Sequence, residues 1–404
     1  MKKELRSIIT THCDQHQQLS DSKLNLCWFT ATPDLFLPGY QRLSYTGKSF
    51  IPKAINAVFG HSLTYIKNKS ASTIIEKIKS TYFAPLISIG LPIPNSESKR
   101  FLNTLHQLLI DYWKDIHTWT YAELFACLNA CCRQFFNGLE LPSDLYTSQK
   151  KIQTEYGIRV YQEIRDLVLD QTINFDLLVY LTIRANWIDN YEQDPSTFLQ
   201  SFLGEIGDIL DKKEWLNDIV SHTLYFQIDA LKQDLESSPK HILYEVDNHG
   251  EIFLDLLFIE WLLTHNHTVT ISTKKSPVLN DVCFDDFMGL LNLDCLAHLS
   301  AYISNKKLTI IDNGSTNVVA LRQFSSSAYQ ECYTNCDCVI LKGQGHFESY
   351  PLKRLYLTNK KNIYYHKRHY YLFGLKSNFT VTSCRYLFKD IQQFTPLLLC
   401  SEIC

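Results

Sequence analysis

The chain has 404 residues, of which 45% are apolar and 20% charged, with a formal net charge of −3 at neutral pH. That length suffices for two or three packed units with substantial cores, and the composition excludes general disorder. The near-neutral charge provides no overall field toward nucleic acid or anionic membrane, and no apolar run approaches the roughly 20 residues that a bilayer-spanning helix needs. Behind the basic start, Met1 to Arg6, only Ser7-Ile8-Ile9 follows, too short for a signal-peptide core.

Residues 1 to about 240 carry segments with helical periodicity: Phe101–His117, Tyr121–Phe136, Gly157–Leu169, Thr197–Leu210 and Trp215–Leu235. Asp194-Pro195-Ser196 reads as a helix start, with Pro195 in the first turn and Asp194 as its cap. Residues 27–100 are rich in aromatics without a clear period. The thirteen cysteines are scattered and do not form a disulfide framework, so a reducing cytoplasm is the expected location. Cys127, Cys131 and Cys132 fall at helical spacing and are expected to pack as small hydrophobes. Cys332, Cys336 and Cys338 lack a second ligand pair at zinc-finger spacing.

From about 241 the rhythm changes. Strand candidates His241–Val246, Thr268–Ser272, Leu308–Ile311, Cys338–Leu341 and Leu355–Leu357 alternate with helix candidates Glu251–Leu263, Phe284–Leu291, Leu296–Ser304 and Ser325–Tyr333. Such alternation implies parallel strands with covering helices and right-handed crossovers. The expected architecture is α/β: a doubly wound, mainly parallel, Rossmann-like sheet over 241–404, preceded by a helical domain over 1–240.

Four strand ends carry polar residues. The first is Asp247-Asn248-His249-Gly250-Glu251, and the second runs from Ser276 to Asn280-Asp281. The third is Asp312-Asn313-Gly314-Ser315, and the fourth is Lys342-Gly343-Gln344-Gly345-His346-Phe347-Glu348. In a parallel sheet these ends converge on one edge, the usual ligand edge of the fold. A carboxylate beside an amide suits a hard cation such as Mg²⁺ or Mn²⁺; the same pair also reads as an ordinary helix cap. Lys342 with its glycines resembles a backbone cradle for phosphate oxygens. Glu251 reads either as a general acid or base or as a dipole-favoured residue opening a helix. His249 reads as a solvent-facing turn residue, and Asp285 and Asp286 as the start of a helix.

In order and spacing, Asp247 to Glu251 with Asp255, Asn280-Asp281, Gly314-Ser315 and Lys342 to Glu348 resemble the damage-control phosphatases. These are metal-dependent enzymes, also described as acidic-residue-methyltransferase-like and long filed as a domain of unknown function. The likeness covers most of 240–380. It implies that Asp247, Asn248 and Asp281 ligate a divalent cation (Mn²⁺, Mg²⁺, Co²⁺ or Ni²⁺) and that Lys342, Gly343, Gln344 and Gly345 hold phosphate, with Gly314 and Ser315 nearby. Asn186 and Asp189 look like the family's Asn-x-x-Asp segment that reaches over the site. Phe373-Gly374-Leu375-Lys376 keeps only the lysine of one subfamily's Arg-Thr-x-Lys. His346 stands where an asparagine is usual, and Thr316 where an aspartate often follows Gly-Ser.

The chemistry expected from these residues is attack of a metal-activated water on a phosphomonoester of a small metabolite, such as a sugar phosphate or a phosphopantetheine-like compound. Asp247 is expected to serve as a ligand rather than a nucleophile, because a carboxylate committed to a metal is a poor nucleophile. Two other readings carry different tests. An S-adenosylmethionine-dependent carboxyl methyltransferase would need the Gly-x-Gly turn that the first strand lacks. An inactive binding or effector protein of the same fold would explain the changes at His346, Thr316 and Phe373. The basic and aromatic run Lys360–Tyr371 has the composition of a nucleic-acid surface but also reads as an exposed turn between tyrosine-rich strands. No nucleic-acid or membrane partner is expected.

Overall fold

The computed structural model describes residues 1–21, 70–88, 91, 93–116, 121–185, 195–212, 226–316, 325–349, 367–376, 381, 391–392 and 395–400. The expected strand at Leu355–Leu357 and the Asn186 to Asp189 segment lie outside the described residues. The helices used below are α1 (Lys2–Asp21), α2 (Ala71–Ile78), α3 (Asn95–Asp111), α4 (Tyr121–Asn137), α5 (Thr147–Leu169), α6 (Phe175–Arg184), α7 (Pro195–Lys212) and α8 (Ile228–Ser237), followed by α9 (Ile252–Thr264), α10 (Phe284–Leu290), α11 (Leu299–Ser304), α12 (Ser327–Asn335) and α13 (Gln344–Ser349). None of the described helices is long and apolar enough to cross a membrane.

Six strands form one sheet: β1 (His241–Glu245), β2 (Thr268–Thr273), β3 (Leu308–Asp312), β4 (Cys338–Lys342), β5 (Arg368–Gly374) and β6 (Pro396–Cys400). Their order is β3-β2-β1-β4-β5-β6. The first five strands are parallel and β6 runs antiparallel to β5. The order reverses at β1, so the chain ends beyond β1 and β4 open a crevice where ligands bind in such sheets. The fold is the doubly wound α/β arrangement expected from the alternating pattern.

β5 and β6 were not foreseen. The basic residues at the start of β5 suggested an exposed turn, yet Lys367 and His369 are buried. The Lys367 ammonium donates to the Thr334 and Cys336 carbonyls at 2.7 and 2.5 Å, and His369 Nε2 meets the Tyr333 hydroxyl at 2.9 Å. Partners from α12 and the turn after it thus satisfy groups that look solvated in the sequence.

Successive strand residues face opposite layers. Ile242, Tyr244, Ile340 and Tyr370 join a core with α5 to α9, whereas Leu243, Val339, Leu341 and Tyr371 join one with Tyr329 and Tyr333 of α12. A separate core unites α1 to α4, with Cys127, Cys131 and Cys132 buried in it as free thiols. The rhythm change near 240 therefore marks where strands begin rather than where a core ends. α9 is buried almost throughout, between the sheet and α5 and α6, which explains why its two acids need internal partners. Glu260 receives Arg165 through two bonds of 2.6 and 3.0 Å and the Tyr161 hydroxyl at 2.9 Å.

His267, just before β2, accepts the Lys240 backbone N–H at Nδ1 over 3.0 Å. Protonation of Nδ1 would remove that acceptor, and burial, assisted by His265, holds the ring's pKa at about 4 against the usual 6.5. The unfolded chain therefore takes up a proton below about 6.5 while the fold does not. The stability linked to His267 is complete above that pH and is lost as pH falls to about 4. Urea midpoints measured between pH 7 and 4 are expected to fall less steeply in His267→Gln than in the parent, with the remaining slope shared by His249, which is depressed in the same window.

Candidate active site

β1 carries the apolar stretch Ile242-Leu243-Tyr244 and ends in Glu245, and after Val246 the chain delivers Asp247 and Asn248 just before α9. The loop beyond β2 folds back onto them. Val282 N–H donates to the Asp247 carbonyl at 3.0 Å, His249 N–H donates to the Asn280 carbonyl at 2.8 Å, and Asn248 and Asp281 form an antiparallel bridge. This pairing places Asp281 beside Asp247, although 34 positions separate them in the chain.

The end of β4 closes the other side. Gly343 has φ of +88°, and a Cβ built there would fall 1.8 Å from Asp247 Oδ2. Glycine is required because the Asp247 carboxylate occupies the space that any side chain would take. Asn248 Nδ2 donates to Asp247 Oδ2 at 3.2 Å and to Glu251 Oε1 at 2.7 Å. Both amide hydrogens are thereby committed, so Asn248 Oδ1 is the atom left to accept or to ligate.

Glu251 is fully buried and makes no cap hydrogen bond with its side chain. It faces Lys342 at 3.2 Å and Lys376 at 4.0 Å. The Lys342 ammonium also donates to the Thr182 carbonyl of α6 at 2.6 Å and lies 3.3 Å from Asp255 Oδ1. With no exposed surface, Lys342 acts as counter-ion to Glu251, just before α9, and to Asp255 on it, a placement that the glycine-loop reading did not anticipate.

Electrostatically the site is a compressed acidic group. Burial, with the Glu251 charge adding to it, raises the Asp247 pKa above the ordinary carboxylate range. Burial raises Asp281 to about 7 against the opposing pull of Lys274, and raises Asp255 to about 7 against Lys342. Asp281 Oδ2 is buried and accepts no hydrogen bond. Among the described residues no three His, Cys, Asp or Glu side chains converge as a metal-binding group. A cation would thus rest on two carboxylates and the Asn248 amide, an all-oxygen set that suits Mg²⁺ or Mn²⁺. Asp281 Oδ2, with Lys274 3.6 Å away but no hydrogen bond, fits that use.

Other expected residues fall around this centre. The Gly314 turn, with φ of +75°, is held by Asp312 and Asn313 side chains at 2.9 Å each, and the Ser315 carbonyl accepts from Lys275 N–H. Through that bond the turn is tied to the loop beyond β2. Thr316 uses its carbonyl to hold Asn129 of α4. Gln344 accepts the Lys376 backbone N–H at 2.9 Å, which fixes the β5 exit over the glycine loop. His249 is a correction: it is buried, meets Thr154 of α5 at 2.9 Å and is held near pKa 4 by burial, so it braces the loop instead of facing solvent. Asp286 caps the start of α10 and pairs with Lys150 at 2.7 Å.

Sequence reasoning missed two members, Lys274 and Glu245, and the surroundings of a third, His346. Lys274, directly after β2, lies 3.6 Å from Asp281. Glu245 ends β1, takes the Tyr329 hydroxyl at 2.5 Å and faces His346 at 3.2 Å. His346 is therefore buried against an acid, an arrangement its position in the loop did not reveal. A cleft of about 490 Å³ between Arg165, Phe175, Trp261 and His265 lies at the far end of α9 and contributes no residue to this group.

The family model for the damage-control phosphatase ARMT1-like domain matches residues 69–383. The chain belongs to that family. A damage-control phosphatase from Pyrococcus horikoshii is 30% identical over 206 residues, which cover 49% of this chain and 60% of that protein. The chain thus spans about 60% of the length of that curated relative. The crystal structure of a DUF89 family protein from the same organism superposes with a TM-score of 0.56 at 19% identity, covering 84% of this chain and 98% of the other, a likeness of fold.

Proposed function

We propose that the protein is a metal-dependent phosphomonoester hydrolase acting on small phosphorylated metabolites, such as sugar phosphates or phosphopantetheine-like compounds. The observation that carries this reading is the convergence of Asp247, Asn248 and Asp281 against the side-chain-free Gly343. Family membership supports phosphatase chemistry.

A divalent cation bound there would supply positive charge toward the phosphate and lower the pKa of a neighbouring water. The protein's own charges explain why it is needed. Asp247, Glu251, Asp255 and Asp281 crowd together beside Lys274, Lys342 and Lys376, and the raised pKa values of Asp247, Asp255 and Asp281 mark carboxyls whose ionised forms a divalent cation would stabilise. Asp247 and Asp281 would hold the cation from neighbouring strand ends, and Asn248 would add its amide oxygen while its N–H groups orient Asp247 and Glu251. Lys376, about one-third exposed, stands at the mouth where a phosphate would enter. The backbone of Gly343 permits close approach of an anion.

Phosphate release from a panel of phosphomonoesters, with and without Mn²⁺, Co²⁺, Ni²⁺ or Mg²⁺, tests this. Release is expected only with metal. Asp247→Ala should fall to background while its far-ultraviolet circular dichroism is unchanged. Absence of release with every metal would favour the binding-protein reading, and metal-free methyl transfer would favour the methyltransferase.

A further inference from the structure

Three lysines border the acidic cluster, but they are not equivalent. An ammonium has three N–H donors. Those of Lys342 face the Thr182 carbonyl, Glu251 and Asp255 at 2.6, 3.2 and 3.3 Å, which leaves none for a ligand. Lys376 approaches from the β5 side. Lys274 approaches from the opposite side, at the end of β2.

The Lys274 backbone is fixed in both directions: its N–H donates to the Val282 carbonyl at 3.0 Å and its carbonyl accepts from Phe284 N–H at 2.8 Å. The residue is therefore held rigidly within the same loop pairing that presents Asp281. Its ammonium is buried and lies 3.6 Å from Asp281 Oδ2, close enough for charge attraction but beyond a good hydrogen bond. It also lies within electrostatic reach of Asp247. A phosphoryl group transferred through a loose transition state spreads charge over its equatorial oxygens, so cations on two sides stabilise it better than one.

We propose that Lys274 contacts the phosphoryl group, donating to its oxygens from the β2 side of the site, opposite Lys376. The assignment rests on the metal-dependent phosphatase reading. Lys342 is then the internal counter-ion of α9, and the phosphate-binding role expected for it passes to Lys274.

The test separates anion contact from simple pairing with Asp281, because the two predict different responses to metal and phosphate. Calorimetric titration of the full chain with Mn²⁺ alone, then of the Mn²⁺-saturated protein with inorganic phosphate, gives two affinities. In Lys274→Met the phosphate affinity is expected to fall at least about tenfold. The Mn²⁺ affinity should hold or tighten, since a positive neighbour of the ion has gone. Lys274→Arg should restore phosphate affinity to within about threefold, and Lys274→Gln serves in place of the methionine variant if that one does not fold. Unchanged phosphate affinity in the metal-loaded methionine or glutamine variant overturns this proposal alone. So does joint loss of Mn²⁺ and phosphate binding in a folded variant, which would make Lys274 a support for Asp281. A parent chain that binds neither Mn²⁺ nor phosphate overturns the phosphatase reading and this proposal with it.

Discussion

Replacing Lys342 by methionine is expected to destabilise the protein by about 3–5 kcal/mol, the cost of breaking a buried ion pair from one side. Methionine fills nearly the same volume, so little of the loss comes from packing. What remains is Glu251 and Asp255, both fully buried, facing one another without their cation. In the parent, burial alone would lower the Lys342 pKa, but Asp255 and Glu251 outweigh it and hold the ammonium protonated. Urea unfolding should show the loss at pH 8 and a smaller one near pH 5. Asp255 already titrates at about 7 in the fold, above the ordinary carboxylate value, so the fold gains protons relative to the unfolded chain as pH falls below 7. That gain relieves the repulsion. Adding Glu251→Gln to the methionine variant should recover part of the stability. A loss below about 1 kcal/mol at pH 8 would show that the two acids already share a proton, and that Lys342 is not what keeps them buried.

The residues that were legible in the sequence and those that were not differ in how far away their partners lie. The change from 3.6-residue to strand-and-helix rhythm at 241 is a local signal, and it predicted four of the strands and the parallel sheet. Asp247, Asn248 and Gly343 were legible for the same reason, each lying just past a strand end, whereas Asp281, eight residues beyond β2, was marked by the family resemblance. Their meeting depends on the Asn248–Asp281 bridge, which no local pattern encodes. β5 was hidden because its charged start is neutralised from afar, Arg368 by Asp234 at 2.7 Å and Lys367 by carbonyls around α12. The glycine loop after Lys342 is a local signal, but the 2.6 Å bond from its ammonium to the Thr182 carbonyl, 160 positions earlier, is not. Lys274 was passed over in a polar run, Thr273 to Ser276, that reads as an ordinary loop. Buried charge is read poorly from sequence because its compensation is tertiary.

Gly343→Ala is expected to weaken Mn²⁺ binding at least about 100-fold and to reduce metal-dependent phosphate release to near background, without unfolding the chain. Two costs combine. The φ of +88° is strained for any residue with a Cβ, and the added methyl would fall 1.8 Å from Asp247 Oδ2, with the Asp247 Cγ at 2.3 Å. The obstruction is the carboxylate itself, so Asp247 must rotate or the β4–α13 turn must open. Gly343 N–H is tied to the Leu372 carbonyl of β5 at 3.0 Å, which resists opening, so Asp247 gives way. Its rotation breaks the 3.2 Å bond from Asn248 and moves one of the three oxygen donors away from the others. A displacement of about 1 Å in such a constellation costs roughly two orders of magnitude. Gly289→Ala is the matched control. That glycine lies on α10, where a Cβ meets nothing within 4 Å, and alanine there should leave Mn²⁺ affinity unchanged. If folded Gly343→Ala binds Mn²⁺ as the parent does, then Asp247 does not meet the ion at the end of β4, and the donor set must be sought elsewhere along the sheet edge.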